Sequence, residues 1–496
     1  MKPCRTLAAV LPGLWALGVL LPAVNAAAPA SGARVFRAGA ATANITPQLG
    51  DGIVGGWDTP PAKHIHDELH ARCLALDDGT TKLVFVVVDS VSVNREVFDE
   101  AKRQIHAATG VPKEHVMMSA THTHSATSAR GPNPLVMKGP GEVPGQGGLP
   151  PLDNYQAFLA RRIANGVQVA LNNLAPARIG WGAGRVPQHV FNRRWLLKDG
   201  KTSPNPFGGQ DRAIMNPGAG RKDLDRPAGP VNPEVYFISL ETAAGRPLAL
   251  LANYWLHYVG GVPQGHLSAD YFAVFADRIQ QLLGADRQDP PFVGIMANGP
   301  CGDVNNIDFS ATAATKHAPY EKMRIVADDL AREVLQVRAT IQHRDWVELR
   351  TAQVELALAT RRPTPERIAQ AKQVLARPAS VSPIHRHEKT YAERTMSAVS
   401  WPETLPIVLQ VHRIGDLAIA TIPFEVLTEI GLEIKAKSPF KDTFTIELAN
   451  GGYGYLPTPE QHELGGYETW LGTNRVEREA SRKIVQTLLG LFERVK

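Results

Sequence analysis

Two histidines separated by one residue, His122 and His124, follow an apolar segment of the sequence. Residues two apart on an extended chain face the same way, so both imidazoles can point into one cleft. Neutral imidazole is the commonest protein ligand for zinc. The His-x-His spacing by itself fits a metal site and a pair of polar loop histidines equally well.

Further side chains that could take part in chemistry follow other apolar segments or lie in glycine-rich turns: His257, Asp303, Glu425 and Tyr455. The turn that contains Asp303 also contains Asn305, and glycine-rich turns can offer backbone N–H groups to an anion. Each residue alone is ordinary. Because α/β folds bind ligands where their strands end, the set predicts one shared site.

The regular elements predicted around these residues alternate between strands and helices. Strands are expected at 82–88, 115–120, 178–181, 235–240, 248–254, 291–297, 407–412, 417–422 and 444–448. Helices are expected at 94–109, 154–171, 270–283, 319–337, 365–375, 426–436 and 474–493. The continuous apolar runs are typical of strands that are covered on both faces. The pattern predicts an α/β fold with a single large domain, mixed β-sheets flanked by helices, and a site at the C-terminal ends of strands.

Two known classes of His-x-His site disagree with this pattern. Metallo-β-lactamases place an Asp-His pair shortly after the motif, where this chain has Ala126 and Thr127. Amidohydrolase barrels need eight regular strand–helix units, which the irregular strands here do not provide.

Composition and charge are those of an ordinary folded protein. The chain has 496 residues, of which 44% are apolar, and its net charge is +5. Basic and acidic residues are interspersed, so no nucleic-acid partner is expected. Only Cys73 and Cys301 lie beyond the first 26 residues, which is too few for a disulfide framework, and the sequence leaves open whether they are bridged.

Residues 1–26 have the features of a cleaved signal peptide. Lys2 and Arg5 precede an apolar stretch, and residues 24–26 give the small-residue pattern of a cleavage site. We therefore expect an exported protein, periplasmic or secreted, with residues 27–496 as its folded domain. Without the first 26 residues the chain has 51 basic and 48 acidic residues, a net charge of +3. No later stretch predicts a stable membrane span.

The order of the motifs resembles the neutral/alkaline non-lysosomal ceramidase family over nearly all of residues 35–490. The matching segments are 38–47, 64–66, 71–72, 121–125, 192–193, 253–257, 302–304, 415–420 with Pro423 and Glu425, and 450–455 with Tyr467. No single segment is specific, but the ordered set is typical of the family.

The resemblance implies a zinc site and a substrate site. One zinc ion per chain would be held by His122, His257, Glu425 and Tyr455. The substrate would be surrounded by His124, Arg193 and Tyr467. Two imidazoles, a carboxylate and a phenol oxygen leave zinc room for a water, whose pKa can fall to about 7. His124 or Tyr467 could protonate the leaving group, and Arg193 could fix a polar or anionic part of the substrate.

The sequence departs from the family in the turn that contains Asp303. Family members have Asp-Val-Ser-Pro-Asn there, with a catalytic serine, whereas this chain has Asn305 at the serine position. Asparagine is not a serine-type nucleophile, but its amide could donate a hydrogen bond to an oxyanion. Asp303 and Asn305 are therefore kept as candidate catalytic residues. The family's C-terminal immunoglobulin-like domain is not expected in this chain.

These observations predict a zinc-dependent hydrolase that cleaves an amide (N-acyl) bond with a metal-activated water. A zinc esterase, lactonase or carbohydrate deacylase would use the same attack, and a non-catalytic zinc-binding homologue is a third alternative. The irregular segments 131–151 and 196–233 are expected to rim the cleft. Because the second segment is rich in charged residues, we expect a small-molecule or a lipid- or glycan-derived acylated substrate that is more polar than long-chain ceramide.

Overall fold

The computed structural model describes residues 34–127, 129 and 151–496. The expected signal peptide and nearly all of the irregular segment 131–151 lie outside this part of the chain. Residues from Val35 to Lys496 belong to one compact unit. None of the helices in the described ranges has the length and hydropathy of a membrane-spanning segment.

Eight strands form the larger sheet. In chain order they are β1 (Arg37–Asn44), β2 (His70–Asp77), β3 (Lys82–Val88), β4 (Val116–Ala120), β5 (Ala175–Arg185), β6 (Glu234–Thr242), β7 (Pro247–Tyr254) and β8 (Val293–Asn298). Their order across the sheet is β8-β7-β6-β5-β1-β2-β3-β4. The pairs β3/β4 and β7/β8 are parallel and the other neighbours are antiparallel.

Four strands form the second sheet: β9 (Leu349–Ala359), β10 (Thr404–Ile414), β11 (Leu417–Ile422) and β12 (Asp442–Glu447), in that order across the sheet. The pair β11/β12 is parallel and the others are antiparallel. The two sheets share one hydrophobic core, in which Phe85 and Ile238 of the larger sheet lie with Ile419 and Phe444 of the second.

Helices cover the outer faces of both sheets. The helices in the described ranges are α1 (Arg95–Thr109), α2 (Asn154–Asn172), α3 (Asp270–Leu282), α4 (Glu321–Arg338), α5 (Pro365–Ala376), α6 (Glu388–Ala398), α7 (Thr428–Lys437), α8 (Pro459–Leu464) and α9 (Ala480–Arg494). The pair α1 and α2 shares a core with β1 to β4, α3 and α4 share one with β6 to β8, and α7 and α9 pack on the second sheet.

Strand β3 shows why its sequence is apolar without interruption. Leu83, Phe85 and Val87 face the core between the two sheets, whereas the alternate residues Val84 and Val86 face the core beneath α1 and α2. Since successive strand residues point to opposite faces, a strand covered on both sides must be apolar at every position.

The predicted α/β fold with mixed sheets flanked by helices is confirmed. The predicted first residues of two helices near the site were wrong. The helix expected at 426–436 begins at Thr428, because Glu425–Val426 pairs with Tyr455–Leu456 as a short strand. The helix expected at 474–493 begins only at Ala480, because Asn474 lies in a buried turn and donates to the Tyr455 carbonyl oxygen at 3.0 Å.

Candidate metal centre and active site

The three parallel strand pairs of the two sheets each contribute to one site. His122 follows β4, His257 follows β7, and Glu425 follows β11, while the neighbouring parallel strands are β3, β8 and β12. Parallel neighbours end at the same edge of a sheet, so the loops that follow them meet there. These three residues therefore lie at the C-terminal ends of strands, where the candidate site was expected.

His122 is held by the loop that follows β3. Its backbone is left-handed, with φ of 68°, which is uncommon for a residue with a side chain and is found where the surroundings enforce it. Its N–H donates to the Ser90 carbonyl oxygen at 2.9 Å, and its Nδ1 lies 2.6 Å from the Val91 carbonyl oxygen. The Nδ1 atom must carry the ring proton to make that hydrogen bond, which leaves a lone pair on Nε2.

His257 is held in the same way by the loop that follows β8. Its Nδ1 lies 3.1 Å from the Cys301 carbonyl oxygen, so its Nε2 also carries a lone pair. The two Nε2 atoms, of His122 and His257, are only 2.9 Å apart. Burial and the nearby His122, Arg193 and His124 lower the pKa of His257 well below its ordinary value, so the His257 ring is neutral. Two lone pairs at this distance fit a shared cation.

Glu425 and Tyr455 complete the group. Glu425 Oε2 lies 3.3 Å from His122 Nε2 and 3.8 Å from His257 Nε2, and no protein group in the described ranges donates a hydrogen bond to this buried oxygen. Burial raises the pKa of Glu425, but His122, Tyr455 and Arg193 outweigh it and leave that pKa below its ordinary value. An ionised oxygen without a donor, beside two imidazole lone pairs, fits a metal ion. The N, N, O, O donor set suits zinc.

His124 lies close to the same point. Its Nε2 is 3.2 Å from His122 Nε2, and the three imidazoles of His122, His124 and His257 offer nitrogen atoms that all lie within 4.8 Å of one another. This three-histidine group could bind a metal. The His124 ring stacks on Tyr258 with centroids 3.8 Å apart.

Arg193 is buried beside His257 and Tyr455. Its Nη2 donates to the Tyr455 hydroxyl oxygen at 2.8 Å, its Nη1 lies 3.3 Å from His257 Nε2, and its Nε donates to Glu468 Oε1 at 3.2 Å. Burial lowers the pKa of Arg193, but Tyr455 and Glu468 more than offset this, so its pKa is above the ordinary value. The guanidinium therefore remains charged beside the predicted ligands.

Two buried carboxylates at the site were missed by the sequence reasoning. Glu468 is fully buried between Arg193 and Arg194 and accepts hydrogen bonds from both. Glu447, at the end of β12, accepts from the N–H of Val426 at 2.7 Å and lies 3.0 Å from the Cys301 thiol. Burial raises the pKa of Glu447 to about 8. The adjacency of Glu468 to the predicted Tyr467 is the only signal in the sequence for either residue.

Asp303 lies beneath the site and makes contacts to three segments. Its side chain accepts from the N–H and hydroxyl of Thr428 and from Asn192 Nδ2, each at 2.8 Å, and its carbonyl oxygen accepts from the Arg193 N–H at 2.7 Å. The buried Asn305 donates through Nδ2 to Asn216 Oδ1 at 2.8 Å. Cys73 and Cys301 are both free and buried.

Tyr467 lies between Tyr455 and a cavity of about 270 Å³, here called the Tyr467 cavity. Its ring packs edge-on against Tyr455, with centroids 5.5 Å apart. The irregular segment predicted to rim the site lines this cavity through residues 203–204, 211, 213–217 and 221. Trp57, which is 52% exposed, forms another wall and stacks on His387 with centroids 3.6 Å apart.

The fold and the site define an α/β protein with a histidine-rich candidate metal centre at the ends of its parallel strands. The sequence matches no protein-family model. The structure is similar to that of the neutral ceramidase from Pseudomonas aeruginosa, with a TM-score of 0.65 and 17% identity over 93% of this chain and 75% of that chain. It is also similar to a ceramidase complexed with C2, with a TM-score of 0.67 and 16% identity over 93% of this chain and 76% of that chain. The protein therefore has the neutral-ceramidase-like fold that the motif order predicted.

Proposed function

We propose that the protein is a zinc-dependent hydrolase that cleaves an amide (N-acyl) bond in a compact, polar substrate. The observation that carries this proposal is the convergence of His122, His257, Glu425 and Tyr455, in which two imidazole lone pairs and an unpaired carboxylate oxygen face one another. When bound in such a site, zinc supplies Lewis acidity that activates water and polarises a carbonyl group. Similarity to ceramidases, which are amide hydrolases by name, supports the amide as the bond cleaved.

The surrounding residues are suited to binding the substrate and moving a proton. Burial and the nearby Glu425 raise the pKa of Tyr467, so its hydroxyl holds a proton at neutral pH that it can donate to a leaving amine. His124 is the alternative donor. Arg193 orients Tyr455 and binds a polar substrate atom. Asn305 uses one amide hydrogen for Asn216 and keeps a second for a developing oxyanion, while Asp303 positions the loops that carry Arg193 and Thr428.

The Tyr467 cavity supports a small polar substrate. Its volume of about 270 Å³ lies just below the range of roughly 300–1,000 Å³ typical of sites for drug-sized ligands. Its walls combine the flat rings of Trp57 and Trp470 with polar side chains such as Asn216 and Arg386. The same features are compatible with a carbohydrate deacylase, which is the main alternative, because aromatic rings and polar groups together bind sugars and acylated amines alike. An esterase or lactonase would use the same attack on its carbonyl group.

A panel of N-acyl and O-acyl compounds of increasing acyl length tests the proposal, assayed with and without a chelator. We expect polar, short-acyl amides to be hydrolysed best, a chelator to abolish turnover, and zinc to restore it. A serine-directed phosphonate should leave the activity intact because Asn305 stands at the serine position. Turnover that resists chelation would refute the zinc proposal, and efficiency that rises steadily through long acyl chains would refute the polar substrate. We further propose export, which N-terminal sequencing of the protein from the cell envelope and medium would test.

A further inference from the structure

A second cavity, of about 380 Å³, lies next to the Tyr467 cavity and shares Asp211 and Trp470 with it as wall residues. Four arginines line it: Arg361, Arg362, Arg367 and Arg478. We call it the arginine cavity. None of the groups assigned to the metal centre lies in its walls.

The positive charge of this cavity is poorly balanced by the protein. Within the described part of the chain, no ion pair involves Arg361, Arg362 or Arg367, and Arg478 has only the exposed Glu463 at 3.6 Å. Arg361 donates to neutral acceptors, the Thr469 carbonyl oxygen at 2.7 Å and Asn474 Oδ1 at 2.8 Å. Arg361 and Arg367 are partly buried, whereas Arg362 and Arg478 are exposed. Charged groups withdrawn from water are normally paired, so the two partly buried guanidinium groups without a carboxylate partner indicate a missing anion.

Arg362 and Arg367 also contact neutral acceptors. Arg362 Nη2 donates to the Trp401 carbonyl oxygen, and Arg367 Nη1 donates to the Phe207 carbonyl oxygen and to Gln370 Oε1, both at 3.0 Å. These contacts fix the guanidinium groups at the cavity wall while leaving their charge uncompensated.

The carboxylate in the cavity wall does not neutralise the arginines. Asp211 is buried, and its Oδ1 accepts from Asn205 Nδ2 at 2.9 Å while its Oδ2 accepts from Trp470 Nε1 at 2.7 Å. No arginine of the cavity forms an ion pair with it among the described residues. The Asp211 carboxylate therefore has Asn205 and Trp470 as its hydrogen-bond partners, and the arginines keep their charge without it.

The neighbouring arginines lower the pKa of two residues in the cavity wall, Arg361 and His462. Burial, together with the charges of Arg478 and Arg367, lowers the pKa of Arg361 to about 10. Burial and the charges of Arg361, Arg478 and Arg194 lower the pKa of His462 to about 3, so this wall residue is neutral. The buried His462 Nε2 has no hydrogen-bond partner among the described residues and can contact a ligand.

Helix α5 adds to the positive field. It begins at Pro365 with Thr364 as its N-cap, and Pro363 and Thr364 lie in the cavity wall. The N-terminal end of a helix of 12 residues carries partial positive charge and attracts anions. The helix end and the four arginines act on the same volume.

We propose that the arginine cavity binds a tetrahedral oxyanion, either phosphate or sulfate, as a free ion or as a monoester group. Guanidinium groups bind such oxyanions through paired N–H···O hydrogen bonds, and neutral His462 can add another contact. The shared wall formed by Asp211 and Trp470 places this anion beside the substrate of the Tyr467 cavity. The binding itself does not depend on the proposed hydrolase activity.

Isothermal titration with inorganic phosphate, sulfate and pyrophosphate tests the proposal, at an ionic strength held constant with sodium chloride. We expect saturable binding of at least one of these anions by the purified full chain. Arg478→Gln and Arg367→Gln should each weaken it by about tenfold or more, because each removes a charge-assisted contact. Arg478 is exposed, so its variant folds even if Arg367→Gln, which packs on Phe207, does not.

Arg482→Gln is the matched control, since Arg482 is an exposed arginine four residues away that pairs with Glu460 and Glu479 outside the cavity. It should bind the anion as the unchanged protein does. An equal loss in Arg482→Gln, or no saturable binding of any of the three anions, would overturn the proposal.

Two further measurements identify the source of the anion and keep this site separate from the metal centre. The anion should still bind His122→Ala, whose metal centre is incomplete, so failure of the hydrolase proposal leaves this result unaffected. If phosphate raises KM without changing kcat for a substrate found in the acyl panel, the cavity binds part of that substrate. Binding without any change in KM shows a separate site for a free anion.

Discussion

Glu425 and Tyr455 are direct partners in a parallel pair of two-residue strands, so residues 30 positions apart present neighbouring side chains to one point. The two short strands come after β11 and β12 in the chain, which are parallel neighbours in the second sheet. The histidines come from the other sheet, after β4 and β7. The candidate metal centre therefore combines residues that follow strands of both sheets, and the two sheets share one core.

The first prediction is the metal content of the site. The purified protein should hold about one zinc ion per chain, because the donor set has four ligands from the protein. His122→Ala and His257→Ala should lose both the metal and the activity. Elemental analysis after dialysis measures this, with the exposed His106→Ala as the control that keeps both. Metal-free protein after metal-replete expression would contradict the assignment.

A second prediction concerns His124, whose Nε2 lies near enough to His122 Nε2 to join the metal-binding group. We expect His124→Ala to keep zinc and to lose turnover rate, because we assign His124 to the substrate. The zinc content and kcat of the same preparation decide between the roles. Loss of zinc would contradict the assignment of His124 to the substrate and would favour the three-histidine group as the metal site.

The third prediction separates proton donation from metal binding. Tyr467→Phe should keep zinc but hydrolyse amides more slowly, by roughly 10²–10⁴-fold, because an amine leaving group needs a proton in the transition state. An ester of the same acyl group with an acidic phenol as leaving group should lose much less, since it leaves without a proton. Equal losses for both substrates would indicate that Tyr467 binds substrate and does not act as an acid.

A fourth prediction concerns Gly55, whose φ of 125° favours glycine and whose position leaves no room for a side chain. A Cβ there would lie 2.6 Å from His124 Cγ. Gly55→Ala should therefore displace His124 and reduce kcat by about 10²-fold, the effect expected for a misplacement of about 1 Å. Gly50→Ala is the matched control: its φ is 99°, but a Cβ there meets nothing within 4 Å.

Both variants should lose about 1 kcal/mol of the free energy of unfolding because both force a side chain into a left-handed backbone, and Gly55→Ala should lose more because its Cβ also clashes with His124. Only Gly55→Ala should lose activity. If Gly50→Ala loses as much activity, strain in this segment is responsible and contact with His124 is not.

The sequence predicted strands such as β3 because a strand covered on both faces is apolar at every position. It failed for β1, a central strand whose residues are mainly alanine and glycine. The reason is the close approach of helix α2: a Cβ on Gly39 would lie 2.2 Å from the Ala170 carbonyl oxygen. Small residues at this contact remove the apolar bulk by which strands are recognised.

A site residue could be predicted only if its side chain can bind a metal and it directly follows a predicted strand. His122, His257 and Glu425 meet both conditions, and their close approach in the structure agrees with the expectation. Glu468 and Glu447 could not be found, because a buried carboxylate is defined by partners distant in sequence: Arg193 and Arg194 for the first, the Val426 N–H for the second. The roles of all these residues stay predictions until they are tested.

The last prediction concerns the pH dependence of stability and rests on Lys102, a buried lysine in α1. Its Nζ donates to Asn450 Oδ1 at 2.7 Å, and burial lowers the pKa of Lys102 to about 8. In the unfolded chain the ordinary value of 10.5 applies. Below pH 8 the lysine is protonated in both states, so the full cost of burying its charge is present. Between pH 8 and 10.5 only the unfolded state keeps the proton.

Raising the pH through this window therefore removes the cost and stabilises the folded state, by up to about 3 kcal/mol. In Lys102→Met this gain in stability should be absent between pH 8 and 10.5, because residue 102 then has no titratable group. Chemical unfolding of both proteins at pH 7, 9 and 10 measures the difference, with the exposed Lys389→Met as the control that keeps the gain. Parallel pH profiles for the unchanged protein and Lys102→Met would show that folding does not lower the pKa of Lys102.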